Sequence, residues 1–102
     1  MPITCPACNK AGQTDAACQR CGCELTHLHE IVAAAATRLA RAHAALTNRD
    51  WSGALADAEG SWDLLHTAES ARLAWVAAAA VGDTPGALRW RAHAAAIAQP
   101  HP

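Results

Sequence analysis

Phenylalanine and tyrosine are absent from this chain, methionine occurs once, and the only aromatic rings besides histidine belong to four tryptophans. Those absences exclude a core filled by large side chains, although apolar residues make up 52% of the sequence, because alanine supplies about half of that fraction. Burial must come from helix backbones approaching closely, not from rings and branches filling space. Charge is scarce as well: 17% of residues are charged and the formal net charge is −1, so no global field draws nucleic acid or anionic lipid. Apolar runs long enough to cross a membrane are missing too. The stretch from Ile31 to Leu46 is broken by Thr37, Arg38, Arg41 and His43, which argues against a membrane span. The opening "MPITCPAC" has no basic start followed by an apolar stretch, so no secretion signal is read there. A cytoplasmic location is expected, where thiols stay reduced.

At 102 residues the chain is one ordinary domain or a mini-domain joined to a compact one. Its cysteines decide between these. All five fall between Cys5 and Cys23, and none occurs afterwards. Cys5-Pro-Ala-Cys8 and Cys18-Gln-Arg-Cys21 are two C-x2-C turns separated by nine residues. A tetrahedral ion needs four thiolates at its corners, and each two-residue turn sets one pair of sulfurs at a suitable spacing. The residue after each second cysteine needs a positive φ, which Gly22 adopts freely and Asn9 tolerates next best. Pro6 pre-sets the first turn. In a reduced compartment five clustered cysteines favour a metal over a redox disulfide.

Apart from the initial Met1, residues 1–25 offer only Ile3 and Leu25 as large apolar groups, so the ion must stand in for a core, and both residues are expected to dock this segment on the first helix. Here the sequence resembles the short zinc ribbons that read C-P-x-C-G…C-x-x-C-G-x-x-L, with Asn9 replacing the first glycine. The resemblance implies one structural Zn²⁺ on Cys5, Cys8, Cys18 and Cys21. Rubredoxin-like iron is the alternative, disfavoured because no aromatic residue surrounds the cysteines. Cys23 is either a semi-buried small residue or an alternative ligand. His27 and His29 lie near but read as solvated residues at a helix start.

From residue 26 to 102 the sequence becomes helical, and the domain boundary is placed at Leu25–Thr26. A first helix is expected over about 27–47, with Thr26 as cap and Leu28, Ile31, Val32, Ala35, Leu39, Ala42 and Leu46 on one face. A second, about 51–66, is capped by Asp50; it carries Trp51, Leu55, Ala58, Trp62 and Leu65 inward and Asp57, Glu59 and Asp63 outward. The third, about 68–81, starts at Thr67 and is apolar nearly all round, as suits an element covered on several sides. Gly82 stops it. The fourth, about 85–98, takes Thr84 as cap and Pro85 as first residue, aligns Leu88, Ala92 and Ala95 with Trp90, Ala94 and Ile97 beside them, and leaves a frayed tail "QPHP". All four tryptophans are expected first of all as core anchors.

"RDWSGAL" from Arg49 matches "GDTPGAL" from Gly82, pairing Asp50 with Asp83, Gly53 with Gly86 and Leu55 with Leu88. An offset near 33–34 residues is the length of a tetratricopeptide unit, and residues 28–97 resemble a degenerate pair of such repeats without their usual aromatic and proline landmarks. The fold expected is mainly α: four antiparallel helices in two tetratricopeptide-like hairpins, preceded by a small zinc ribbon.

No HExxH, P-loop or G-x-S-x-G is present, and a four-cysteine site leaves no open position for water, so an enzyme is not expected. A nucleic-acid-binding ribbon is the third reading; the basic residues are sparse and not interleaved with aromatics. A metal-centred redox or metal-handling protein is the second. The first is a non-catalytic adaptor or accessory subunit, because two hairpins leave a terminal face for another protein or a second copy. Trp90, with Arg89, Arg91 and Ile97, is the expected contact surface, and Trp90 the expected exposed ring.

Overall fold

In the computed structural model, which describes residues 2–98, the chain is mainly helical. Four helices are present among these residues: α1 (Thr26–Thr47), α2 (Trp51–Leu64), α3 (Ala68–Ala80) and α4 (Thr84–Ala98). The chain divides into two compact units, Met1–Ala34 and Ala35–Pro102, and the division falls inside α1. No helix among the described residues is long and apolar enough to cross a membrane. The tail "QPHP" lies outside the described residues.

In the first unit the described backbone before α1 makes isolated antiparallel bridges, Ile3 with Gln13 and Ala17 with Glu24. Ile3, Cys5, Cys18 and Leu25 form its buried cluster, with Cys8, Cys23, Leu28 and Val32 packed against it. Ile3 and Leu25 therefore dock on the first turns of α1, as their isolation in the sequence implies. Gln13 is fully enclosed; its side-chain carbonyl accepts the Gln19 amide at 3.1 Å, which fastens the two halves of the segment together. The cap of α1 differs from expectation. Thr26 is already helical, and the Glu24 carboxylate accepts its amide at 2.7 Å. The hydrogen bonds from the Thr26 side chain and amide hold the Glu24 carboxyl below its ordinary range.

In the second unit α2 packs on α3 and α3 on α4. The buried positions are almost all alanine: Ala35, Ala42, Ala54, Ala58, Ala71, Ala74, Ala77, Ala78, Ala87 and Ala94, with Ser61, Ser70 and Gly86. The tryptophans do not fill this core; all four are half-buried around it. The reason is steric and polar together. Alanine faces leave no room for an indole between backbones, and an indole N–H prefers an edge near water. Ser61 suits the close approach, donating its hydroxyl to the Ala35 carbonyl at 2.9 Å.

Two expected faces are corrected. Asp57 is not a solvated outer residue: its carboxylate is only 16% exposed and lies 3.4 Å from Arg38 and 3.8 Å from Arg41. On α4 the buried line is Ala87 and Ala94, with Trp90 half-buried beside it, while Leu88 is 57% exposed and Ala92 and Ala95 face solvent. α3 is covered less completely than its composition implies, since Arg72, Val76, Ala79 and Ala80 are exposed.

Helix ends follow local chemistry. Asp50 caps α2 by accepting the Gly53 amide at 3.1 Å, and Thr67 caps α3 by accepting that of Ser70 at 3.1 Å. α2 ends at Leu64, two residues short of expectation, because Leu65 turns extended. Asp83, not Thr84, caps α4, accepting the Gly86 amide at 3.0 Å; Thr84 is the first helical residue and Pro85 the second.

Candidate metal centre

Each C-x2-C turn is closed by its own backbone. The Asn9 amide donates to the Cys5 carbonyl at 2.8 Å and the Gly22 amide to the Cys18 carbonyl at 2.9 Å. The next bond also repeats: the Cys5 amide donates to the Lys10 carbonyl at 3.0 Å, and the Cys18 amide to that of Cys23 at 2.8 Å. Both closures require the chain to reverse through a left-handed residue, and Asn9 (φ 62°) and Gly22 (φ 76°) occupy those positions. The two turns are thus the same device used twice, and each presents its pair of sulfurs on one side.

The four Sγ atoms of Cys5, Cys8, Cys18 and Cys21 all lie within 4.8 Å of one another. Two sulfur pairs meet across the turns, Cys5 with Cys21 and Cys8 with Cys18, both at 3.6 Å. A covalent S–S bond is about 2 Å, so these are not disulfides. A tetrahedral ion with M–S bonds of about 2.3 Å sets its sulfurs about 3.8 Å apart, which this cluster nearly matches.

Amide dipoles complete the fit. Cys5 receives hydrogen bonds from the amides of Cys8 and Ala7, and Cys18 from those of Cys21 and Arg20. Donors aimed at sulfur stabilise the thiolate: the Cys8 amide above all holds the Cys5 thiol below its ordinary value, and the Cys21 amide brings Cys18 down to about 6 against the opposing effect of burial. Cys21 goes the other way. The Cys23 amide pulls it down, but burial and the three neighbouring sulfurs outweigh that donor and push it up to about 12. The donor set, geometry and amide pattern all fit a divalent cation held by four thiolates.

Cys23 stands outside the four-sulfur group. It is half-buried against the Ile3–Leu25 cluster, and its thiol points at the Glu24 carbonyl 3.8 Å away. Burial and the charge of Cys5 push this thiol up. His29 is also not a ligand here: its Nε2–H donates to the Asp15 carbonyl at 2.9 Å, and His27 lies beside Glu30 at 3.7 Å.

The residues expected at a partner surface are spread around α4. Arg89 and Arg91 are exposed, Ile97 is 39% exposed, and Trp90 is half-buried against Trp62 and the Ala42–Ala58–Ala74 cluster. Arg91 lies over the Trp75 ring at 5.7 Å. Sequence reasoning did not find the Trp62–His66–Trp90–His93 grouping described below, although the i, i+4 spacing of Trp62 and His66 was a signal.

No protein-family model matches this chain, and no curated protein or solved structure is significantly similar to it. The four-sulfur site and the four helices define the molecule as a helical protein with a candidate four-cysteine metal centre.

Proposed function

We propose that the chain is a non-catalytic, cytoplasmic adaptor or accessory subunit. Its N-terminal segment is a zinc ribbon with one structural Zn²⁺, and its helices form two antiparallel, tetratricopeptide-like hairpins that bind another protein or a second copy. The observation that carries this reading is the closure of the donor set by four mutually adjacent sulfurs. Four thiolates leave a tetrahedral ion no position for water or substrate, so the ion's contribution is to folding and not to turnover. The repeated Asp-capped turns at Asp50 and Asp83 support the paired-hairpin reading, and the exposed Leu88, Arg89, Arg91 and Ile97 support an interaction surface. The pairing of Arg38 and Arg41 with Asp57 removes much of the basic strip that a nucleic acid would need.

Elemental analysis and absorption spectra of untagged protein test the metal. One zinc per colourless chain is expected, retained by Cys23→Ser and lost by Cys18→Ser; visible bands from iron would replace this reading with the redox alternative. Affinity capture from the native host tests the adaptor role, which fails if no protein, the chain itself included, is reproducibly retained.

A further inference from the structure

Four rings make one contiguous cluster at the bundle surface: Trp62 near the end of α2, His66 just beyond it, and Trp90 and His93 in the middle of α4. Trp62 and Trp90 meet edge to face, with centroids 5.5 Å apart and planes at 86°. His66 lies flat on Trp62 at 4.0 Å and 9°, and His93 reaches both indoles, at 5.0 Å and 5.5 Å. Both indoles are half-buried and both imidazoles exposed. Partly exposed tryptophan bordered by polar rings is the make-up of an interface centre more than of a solvated helix face. Ile97, one turn beyond His93, widens the apolar patch with 39% of its surface exposed.

The charges around this patch are separated by sign. α2 carries Asp57, Glu59 and Asp63 and no basic residue, whereas α4 carries Arg89 and Arg91 and no acidic one. Asp57 is taken up by Arg38 and Arg41, and Arg91 by the Trp75 ring. Glu59 remains, one turn before Trp62 on α2, and so does Asp63, which directly follows Trp62 and precedes His66 by three residues. Arg89 remains on α4, one turn before His93. All three are exposed, and none forms an ion pair among the described residues.

We propose that this α2–α4 face docks a second copy of the chain about a two-fold axis, the acidic edge of each copy lying against the basic edge of the other. A two-fold operation exchanges the edges, so Glu59 and Asp63 meet Arg89 twice in one interface around a paired aromatic centre. A partner of one charge sign would gain on one edge and lose on the other, which is why a self-complementary copy fits better. The proposal rests on the interaction-module reading and deepens it by naming the partner.

Charge reversal at exposed helix positions leaves the alanine core untouched and tests this on the full, zinc-loaded chain. Two variants are needed: Glu59→Arg with Asp63→Arg, and Arg89→Glu, each checked for unchanged helix content by circular dichroism. Sedimentation velocity over a concentration series should give dimer mass for the wild type and monomer mass for each variant alone. An equimolar mixture of the two variants should recover dimer mass, because complementarity is restored at both edges. A wild type that stays monomeric, variants that dimerise alone, or a mixture that stays monomeric each overturns the proposal. Its failure is distinct from that of the adaptor role, since native capture of a different protein would leave that role standing.

Discussion

Four thiols held edge to edge cannot all ionise unaided, and the unequal protonation of this cluster follows from that. Cys18, with amides of Cys21 and Arg20 aimed at its sulfur, is drawn down to about 6 from an ordinary 9.0. Its stabilising contribution as a thiolate is complete above pH 9 and is lost as pH falls through about 6. Cys21, pushed up to about 12 by burial and by its neighbours despite the Cys23 amide, still carries its proton at neutral pH. A divalent ion must displace that proton to bind the sulfur. Titrating zinc into metal-free protein at pH 7 in weak buffer should therefore release at least one proton per ion, read with an indicator dye. Affinity should strengthen as pH rises and fall steeply below pH 6. Proton-neutral binding would mean that Cys21 is not a ligand.

At the scale of elements, the internal echo in the sequence turns out to be turn chemistry. α1 ends with Arg49 in the left-handed region (φ 58°), its amide donating to the Leu46 carbonyl and that of Asp50 to Ala45. α3 ends in the same way: Gly82 (φ 84°) donates to Ala79 and Asp83 to Ala78. In both, the aspartate that closes one helix also caps the next, so one residue serves two ends. Arg49 bears a left-handed strain that Gly82 avoids. Arg49→Gly should thus raise stability by about 0.5–1 kcal/mol, after allowing for glycine's greater unfolded-state freedom. Asp50→Ala and Asp83→Ala should each cost about 1 kcal/mol. Denaturant midpoints at constant m would read both. A neutral Asp83→Ala would return the capping role to Thr84.

Much of this was legible. The two cysteine turns, the positive φ of Asn9 and Gly22, the four helices, the caps at Asp50 and Thr67 and the stop at Gly82 all follow from residue types with few alternatives. The cap of α4 was also available, because the repeat aligns Asp83 with Asp50; Thr84 competed only as another good capping residue. The inward face of α4 was not legible. Leu88, Ala92 and Ala95 form one apolar line, and Ala87, Trp90 and Ala94 another; periodicity cannot rank two lines when alanine occupies both. The partial exposure of the tryptophans was hidden for a related reason, since hydrophobic size predicts burial only where the core has room for it. The burial of Asp57 depends on Arg38 and Arg41, about twenty residues away, which no local pattern records.

For the molecule as a whole, the consequential feature is that two cores of opposite kind close separately. The Ile3–Leu25 cluster incorporates Cys5 and Cys18 themselves, so its packing is continuous with the sulfur site. The Ala42–Ala58–Ala74 cluster draws on all four helices and includes no cysteine. Structural zinc supplies on the order of 10 kcal/mol to units of this size, more than two large apolar side chains provide at about 2 kcal/mol each. Removing the ion should accordingly unfold the first unit and leave the second with its own cohesion. Amide exchange after treatment with a strong chelator should show fast exchange from Ile3 to Leu25, fraying of α1 toward Ala34, and retained protection in α2, α3 and the second half of α1. Circular dichroism should keep most of its helical signal, and heating should resolve two transitions of which only one responds to chelator. Slow exchange across Ile3–Leu25 in metal-free protein would mean that the sulfurs pack without an ion. Loss of α2 and α3 along with that segment would mean that the alanine faces cannot hold a bundle alone, and that the ion is the nucleus of the entire fold.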